Sequence, residues 1–600
     1  MSKRHYVLLS TDGYTNLPTS PDLNDHKKES VYIWGFIGGL LSVDDVVIPE
    51  NSYLDWRKSY NWDNLFKLKG SAKLPSPIIW GEVGDDIYIT LINLGMLYRT
   101  DILDNHSIHL HGAHVPTQLD GFPETSFGVP VWMPNSKYNC LCSPPTITYY
   151  FKLDHPGTLL YNCHVKASEH IQMGMYGALV IYPSIESLNM EGVHQDSDGF
   201  WYFNDKLLDF VPNSATNRNF AYNNPYSYYD KEYIILLSDI DSNWHKAIEN
   251  LESFNSTNFK PNYWLVNGKS FPDTLLPYEE KYNDLSSKDL TQINYNSYVH
   301  INTNDKLLLR MINIGYDPVP WYVHGWHFEI LGKDSHISPF LSLKTLISSY
   351  KHNKISDKSF TINISSGETY DLLIEATDKY HIYESYILNG QDYIQPLCAQ
   401  IIKLYSENID CIFDVPTEPV DINDTNTVNY LEICSRSSSK SDYCLYPQFY
   451  PMYNHTSYKV TNNGVYPGGQ MTYIQIDAPI CTTKSAQLEE FQSSNDDTLT
   501  NLDKDIDLLE KSPKEEDSSV EALADNLHLL INKNTYKNDL SNTNIDELQI
   551  KPIVSEYYLD ENSSISDMFD EIKSLTRNDL CPHSNNSKNK SLFEILDELN

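Results

Sequence analysis

GTLLYNCHVKASEHIQMGMYGALVIYP, residues 157–183, decides how the rest of the chain is read. Two apolar runs, GTLLY and YGALVIYP, flank a short stretch that holds Cys163, His164, His170, Met173 and Met175. The runs are short, rich in β-branched and aromatic residues, and bounded by glycine and proline, which predicts buried strands. Between them lie a soft sulfur, two imidazoles and a thioether, the side chains that bind soft and borderline metal ions. Alternate side chains of a strand share a face, so Cys163 and His164 are expected to address opposite sides. The connection at 165–169 lets His170 fold back toward Cys163.

Working outward, the same kind of text recurs from Val31: VYIWGFIGG, PSPIIWGE, DIYITLINLG and ITYYFKL, each separated by turn residues. This predicts an all-β domain over 31–184, preceded by a polar, flexible arm at 1–30 and followed by a Ser-, Asn-, Asp- and Tyr-rich linker at 185–229. A second block then repeats the order of the first. DIYITLINLG (86–95) is matched by DKLLLRMINIG (305–315), HSIHLHGAH (106–114) by YVHGWHFEI (322–330), and TYYFKLDHPG (148–157) by TYDLLIEATD (369–378). A repeat of about 220 residues predicts a second related β-domain over 230–478, interrupted by an insert at about 405–445. Residues 479–600 change to Asp, Glu, Asn, Lys and Ser, which predicts a disordered, acidic, low-complexity tail.

The 600 residues carry 44 basic and 81 acidic side chains, a net charge of −37. That balance argues against the basic face that phosphate binding needs, so no nucleic-acid partner is expected. It favours attraction of cations. No run of about 18 or more apolar residues predicts a membrane span, and no signal peptide is evident at the N-terminus.

His109 and His111 lie two apart on one strand, so they point the same way. Three residues earlier is His106. One thiolate, two imidazoles and a weak axial thioether define the trigonal type 1 (blue) copper site, and Cys163, His106, His170 and Met175 supply that set. HSIHLHGAHVPTQLDG (106–121) with GTLLYNCHVKASEHIQMGMYGALVIYP resembles the multicopper oxidases, the family related to laccases and copper nitrite reductases. YWLVNGKSFPDTLLP (263–277), YDPVPWYVHGWHFEILGKD (316–334) and YPMYNHTSYKVTNNGVYPGG (450–469) resemble its following domain. The resemblance implies two cupredoxin-like Greek-key β-sandwich domains.

It also implies copper as cofactor and electron entry at the type 1 site. Electrons then pass through Cys163 to His164, and O2 is reduced at a second copper site. By position, His109, His111 and His164 are the implied catalytic ligands, with His324 and His455 their partners in the second domain. Three positions depart from the family's histidines: Asn162, Tyr322 and Tyr453. The expected function is a copper-dependent oxidoreductase with a small-molecule or metal-ion electron donor. The alternatives are a non-enzymatic blue-copper electron-transfer or copper-binding protein, or a degenerate structural cupredoxin module. Family precedent favours a secreted or extracytoplasmic setting and allows a homotrimer, in which the second site forms between subunits.

Overall fold

The computed structural model describes residues 1–21, 27–135, 140–276, 293–346, 357–377 and 448–477. Its described strands form two β-sandwiches. In the first, one sheet runs Val46–Val47, Lys28–Val43, Lys3–Pro18, Asp86–Asn93, Thr146–Lys152, and the facing sheet runs Ser76–Glu82, Tyr176–Tyr182, Gly157–Asn162, His109–His111. The chain changes sheet after most strands, as in a cupredoxin-like sandwich rather than a meander. A single core lies between the sheets, with Tyr6, Trp34, Phe36, Ile89, Ile108, Tyr161 and Cys163 among its members.

The second sandwich repeats this wiring. Lys231–Ile240 pairs in parallel with Lys306–Asn313, which pairs antiparallel with Thr369–Glu375. The first sandwich does the same with Lys3–Pro18, Asp86–Asn93 and Thr146–Lys152. In the facing sheets, Val299–Asn302, Met471–Asp477, Gln448–Asn454 and Val319–Val323 occupy the places of Ser76–Glu82, Tyr176–Tyr182, Gly157–Asn162 and His109–His111. The repeat read from the sequence is thus a repeat of strand order.

Two expectations are corrected. Residues 1–30 are not a flexible arm: Lys3–Pro18 is a central strand, antiparallel to Lys28–Val43 and parallel to Asp86–Asn93. Its polar stretch disguised it. Ser10, Thr11 and Asp12 are fully buried, and Asp12 accepts hydrogen bonds from the Leu97 and Tyr98 amides and the Tyr32 hydroxyl, so burial is compatible with polarity there. Residues 185–229 are not an extended linker either. They hold the helix Ile185–Met190, a small sheet of Val193–Gln195, Trp201–Phe203 and Lys206–Leu207, and a core of their own around Leu188, Trp201, Phe220 and Tyr228. Aromatic side chains supply enough apolar area to close this core despite the surrounding Asn and Asp. The expected insert and acidic tail lie outside the described residues.

The two sandwiches share a third core. Ile78, Trp80, Leu160, Ala178, Val180 and Tyr182 pack against Ile234, Leu236, Tyr295, Ile312 and Ile314. Tyr176–Tyr182 is therefore buried along its whole length, which is why it reads as an unbroken apolar run instead of an alternating one. Beside this core sits a buried polar network. Arg310 donates to Glu232 (2.6 Å), Asp371 (3.5 Å) and Thr158 (3.1 Å). Tyr182 donates to Glu232 (2.7 Å) and Tyr222 to Asp371 (2.7 Å). Thr158 and Tyr182 belong to the first sandwich, Arg310 and Asp371 to the second.

Candidate metal centre

Cys163 follows the last residue of the strand Gly157–Asn162, where pairing with Tyr176–Tyr182 ends. The chain then turns into the helix Ala167–Met173, entered through Lys166 in the left-handed region (φ 42°) and left through Gly174 (φ 116°). Only glycine fits that exit, since a Cβ on residue 174 would lie 2.2 Å from the Leu74 side chain and 2.7 Å from the Trp34 carbonyl oxygen. The tight return lets the Cys163 amide donate to the Met175 carbonyl (3.0 Å) and the Met175 amide to the His170 carbonyl (3.0 Å). One turn of helix thus carries His170 back over Cys163. The helix is also clamped from the second sandwich: Gln172 donates to the Asp239 carbonyl (3.1 Å) and contacts His245 (3.3 Å).

His106 arrives from another element. Its backbone bridges Val129 in both directions, and Asn93 donates to the carbonyls of Asp104 (2.9 Å) and Val129 (3.0 Å), fixing the loop that presents the ring. The result is a triangle of donor atoms. Cys163 Sγ lies 3.2 Å from His170 Nδ1 and 3.8 Å from His106 Nδ1, and the two nitrogens are 3.3 Å apart. Three ligands bound at about 2.0–2.3 Å around one trigonal centre stand roughly 3.5 Å from one another, so the triangle fits a single metal ion. His106, Cys163 and His170 are buried, and Trp34 packs edge-on to His170 at 5.2 Å, which keeps water away. Met175 is buried in the same core cluster as Cys163.

The electrostatics prepare a thiolate. Burial alone would raise the Cys163 pKa, yet hydrogen bonds with His106 and His170 hold it well below the usual thiol range. Burial likewise opposes a charged His170, but Asp104 and Cys163 push that ring up to about 9. Burial lowers His106 despite the neighbouring sulfur. The Asp104 carboxylate is 3.6 Å from His170 Nε2 and accepts 2.9 Å bonds from Lys166. The Ser107 amide points at Cys163 Sγ (3.4 Å). Neither Asp104, Asn93 nor Ser107 stands out in the sequence, because their roles depend on a loop path that spacing does not reveal.

On the outer side, His164 packs against His109 (ring centroids 4.9 Å) and Phe122 (4.8 Å), and His109 lies 5.9 Å from His111. His109 Nδ1 is held by the Asp120 carbonyl oxygen (3.0 Å), leaving Nε2 for a ligand. Burial shifts the pKa values of both His109 and His111 downward, which favours the neutral rings. A Cβ on Gly367 would stand 3.1 Å from His111 Nε2, so the second sandwich comes close to this ring.

Strand register places the second-domain residues independently of any resemblance. Asn162 pairs with His109, and in the second sandwich Tyr453 pairs with Tyr322. Tyr322, His324, Tyr453, Asn454 and His455 thus stand where His109, His111, Asn162, Cys163 and His164 stand in the first. Tyr322 contacts His324 (4.6 Å), His455 (5.3 Å) and Tyr453 (5.7 Å), and His324 Nε2 is hydrogen-bonded to the Tyr453 hydroxyl (2.9 Å). Among the described residues, no three-ligand group joins His324 or His455 to His109, His111 or His164.

Residues 65–184 match the family model described as multicopper oxidase. Over 109 residues the chain is 32% identical to copper resistance protein A of Escherichia coli, a match spanning 18% of this chain and 14% of that protein. Among solved structures, the multicopper oxidase mgLAC aligns over 80% of this chain and 89% of its own at 17% identity and a TM-score of 0.42. The copper nitrite reductase of Nitrosomonas europaea aligns over 81% and 96% at 11% identity and a TM-score of 0.36. The fold rests on strand order rather than on these scores. Residues 65–184 thus resemble a multicopper oxidase domain, and that family match indicates copper as the cofactor.

Asp104 lies behind the His170 ring, 3.6 Å from its Nε2, on the side away from Cys163 Sγ. Asp104→Asn is expected to weaken copper binding by about 10–100-fold, as loss of a carboxylate behind a ligating imidazole does. Competition titration with a chelator measures this; an unchanged affinity removes Asp104 from the centre.

Proposed function

We propose that the chain is a copper-dependent oxidoreductase with a type 1 copper at His106, Cys163, His170 and Met175. It takes electrons from a small-molecule or metal-ion donor and delivers them to a second copper site and O2. The observation that supports this most is the buried triangle of one sulfur and two imidazole nitrogens. Copper bound there would supply reversible one-electron chemistry. Cys163 and His164 are consecutive, and the His164 ring lies against His109, so a short bonded route leads out of the buried centre. His109, His111 and His164 then serve as the first-domain ligands of the second site. The Asp120 carbonyl sets the tautomer of His109.

In this reading His324 and His455 face those ligands from a neighbouring copy. Tyr322, His324 and Tyr453 are half-buried and His455 is exposed, which leaves that cluster open to a second chain and makes a homotrimer the proposed assembly. An extracytoplasmic setting belongs to the same proposal. Among the described residues, no helix is long and apolar enough to cross a membrane.

One observation favours the second reading, an electron carrier without O2 chemistry. Tyr453 occupies His324 Nε2, and tyrosines replace two imidazoles of the facing cluster. Copper content and O2 consumption separate the two. For an oxidase, wild-type protein holds more than one copper per chain and consumes O2, and His109→Ala/His111→Ala abolishes consumption while leaving the type 1 spectrum intact. If copper-saturated wild type consumes no O2, the carrier reading replaces the oxidase. If the double variant matches wild type, the second site lies elsewhere.

A further inference from the structure

His170 is the member of the buried triangle carried on a helix, and no hydrogen bond on its far side fixes the ring. Its Nε2 is buried and without a hydrogen-bond partner, with Asp104 standing 3.6 Å off. The ring's place is therefore set by the helix Ala167–Met173 and by Trp34, which packs against it at 5.2 Å. Both supports lead to one side chain of the second sandwich that the copper reading leaves without a role, His245.

His245 lies on the helix Ser242–Glu249 and is fully buried. Asp241 caps that helix: its Oδ1 accepts from the Asn243 (3.0 Å) and Trp244 (3.4 Å) amides, and its Oδ2 accepts from the Lys260 amide (2.8 Å). The helix is thereby fixed to the end of the strand Lys231–Ile240. Burial pushes the His245 pKa down to about 4, so the ring is neutral near neutral pH. Its Nδ1 stands 2.6 Å from the Tyr32 carbonyl oxygen, which can only accept, so Nδ1 carries the proton and Nε2 the lone pair. That lone pair accepts from the Gln172 side-chain amide (3.3 Å).

The two ends of this link reach both supports of His170. Tyr32 lies two residues before Trp34 on the strand Lys28–Val43, so their side chains share a face, and both enter the core around Cys163. Gln172 lies two residues after His170 on its helix. Two residues before His170, the Ser168 carbonyl accepts from the Tyr316 hydroxyl. The Tyr316 amide donates to Asp239 Oδ2 (2.9 Å), and the Asp239 carbonyl takes the other Gln172 N–H (3.1 Å). A ring of contacts thus closes: His170, Trp34, the Tyr32 backbone, His245, Gln172, and back along the helix to His170.

We propose that His245 is a positioning residue for the metal centre: by joining the Tyr32 backbone to the Gln172 side chain, it sets where His170 stands relative to Cys163 and His106. The inference rests on the type 1 copper reading above. A residue that places a ligand without touching the metal tunes how tightly, and in what geometry, the metal is held. A neutral imidazole suits the task because it offers one donor and one acceptor at a fixed separation.

The test uses the full chain with His245→Phe, which keeps a ring at this position and removes both hydrogen bonds. The variant is expected to bind copper about tenfold more weakly, the lower end of what loss of a partner behind a ligand costs, and to show a shifted copper–thiolate absorption maximum and a changed reduction potential. In the metal-free protein, the His170, Gly174 and Met175 amides are each hydrogen-bonded within this turn. They should exchange with solvent about tenfold faster in the variant, while those of Leu8 and Leu9 in the strand Lys3–Pro18 keep their rates. His245→Gln, whose side-chain oxygen can take the Gln172 donor, should lie nearer wild type in every measure. If His245→Phe fails to fold, Gln172→Met breaks the same link from the other end, and the same shifts are expected. A lowered unfolding midpoint with copper affinity, spectrum and potential unchanged makes His245 a structural residue only and overturns the proposal. A copper-loaded wild type without thiolate absorption overturns the type 1 reading, and this inference with it. A coloured wild type with an unchanged variant overturns this inference alone.

Discussion

Cys163→Ser is expected to bleach the intense visible absorption of the copper-loaded protein and to cut any donor oxidation by at least about a hundredfold. Alteration of a residue merely behind a metal ligand costs 10–100-fold, and here the only sulfur of the triangle is removed. A serine hydroxyl stays protonated where the thiol does not, so the centre loses its anionic ligand as well as its soft one. The fold should tolerate the change. The hydroxyl is slightly smaller than the thiol and finds His170 Nδ1 in hydrogen-bonding reach of the same position. Circular dichroism alike in both proteins, with colour in only one, is the expected result. A coloured serine variant would place the chromophore, and with it the type 1 copper, somewhere other than the triangle.

Arg310→Met is expected to destabilise the protein by about 3–5 kcal/mol, the cost of leaving buried charge uncompensated. Arg310 is fully buried and faces two buried carboxylates, Glu232 and Asp371. Removing the cation strands both. Its surroundings hold the guanidinium charged: burial works against it, but Glu232, Tyr229 and Asp371 more than compensate. The midpoint of urea unfolding reports the loss. Adding Glu232→Gln and Asp371→Asn to Arg310→Met should recover part of it, because the stranded charges are then gone. A loss under about 1 kcal/mol for the single variant would mean that water reaches the network.

The paired strands and the triangle of Cys163, His106 and His170 donor atoms were legible in the sequence because both are written in residue types with few other uses. A buried run such as Tyr176–Tyr182 is too short and too apolar for anything but a covered strand, and Cys163 with His170 and His106 keeps a spacing that one turn and one neighbouring strand can close. Lys3–Pro18 was not legible as a strand. Its buried Ser10, Thr11 and Asp12 look like surface residues until Tyr32, Leu97 and Tyr98 are known to satisfy them. The segment 185–229 failed for the converse reason, since its apolar residues are sparse, aromatic and aperiodic. His245 was illegible as a neighbour of Gln172 because the two lie on different sandwiches, and only the docked interface brings them together.

The clamp of Gln172 on Asp239 has a consequence for anyone who would cut the protein down. The matched stretch 65–184 looks like an independent unit, yet it omits the strands Lys3–Pro18 and Lys28–Val43 and every residue that braces the helix bearing His170 from the far side. Trp34, which roofs the ring, is on one of the omitted strands. A fragment expressed to those limits would keep His106, Cys163, His170 and Met175 and lose the walls that hold them in place. The far-side brace on that helix, through Asp239 and His245, is thus encoded some seventy residues beyond the loop it holds.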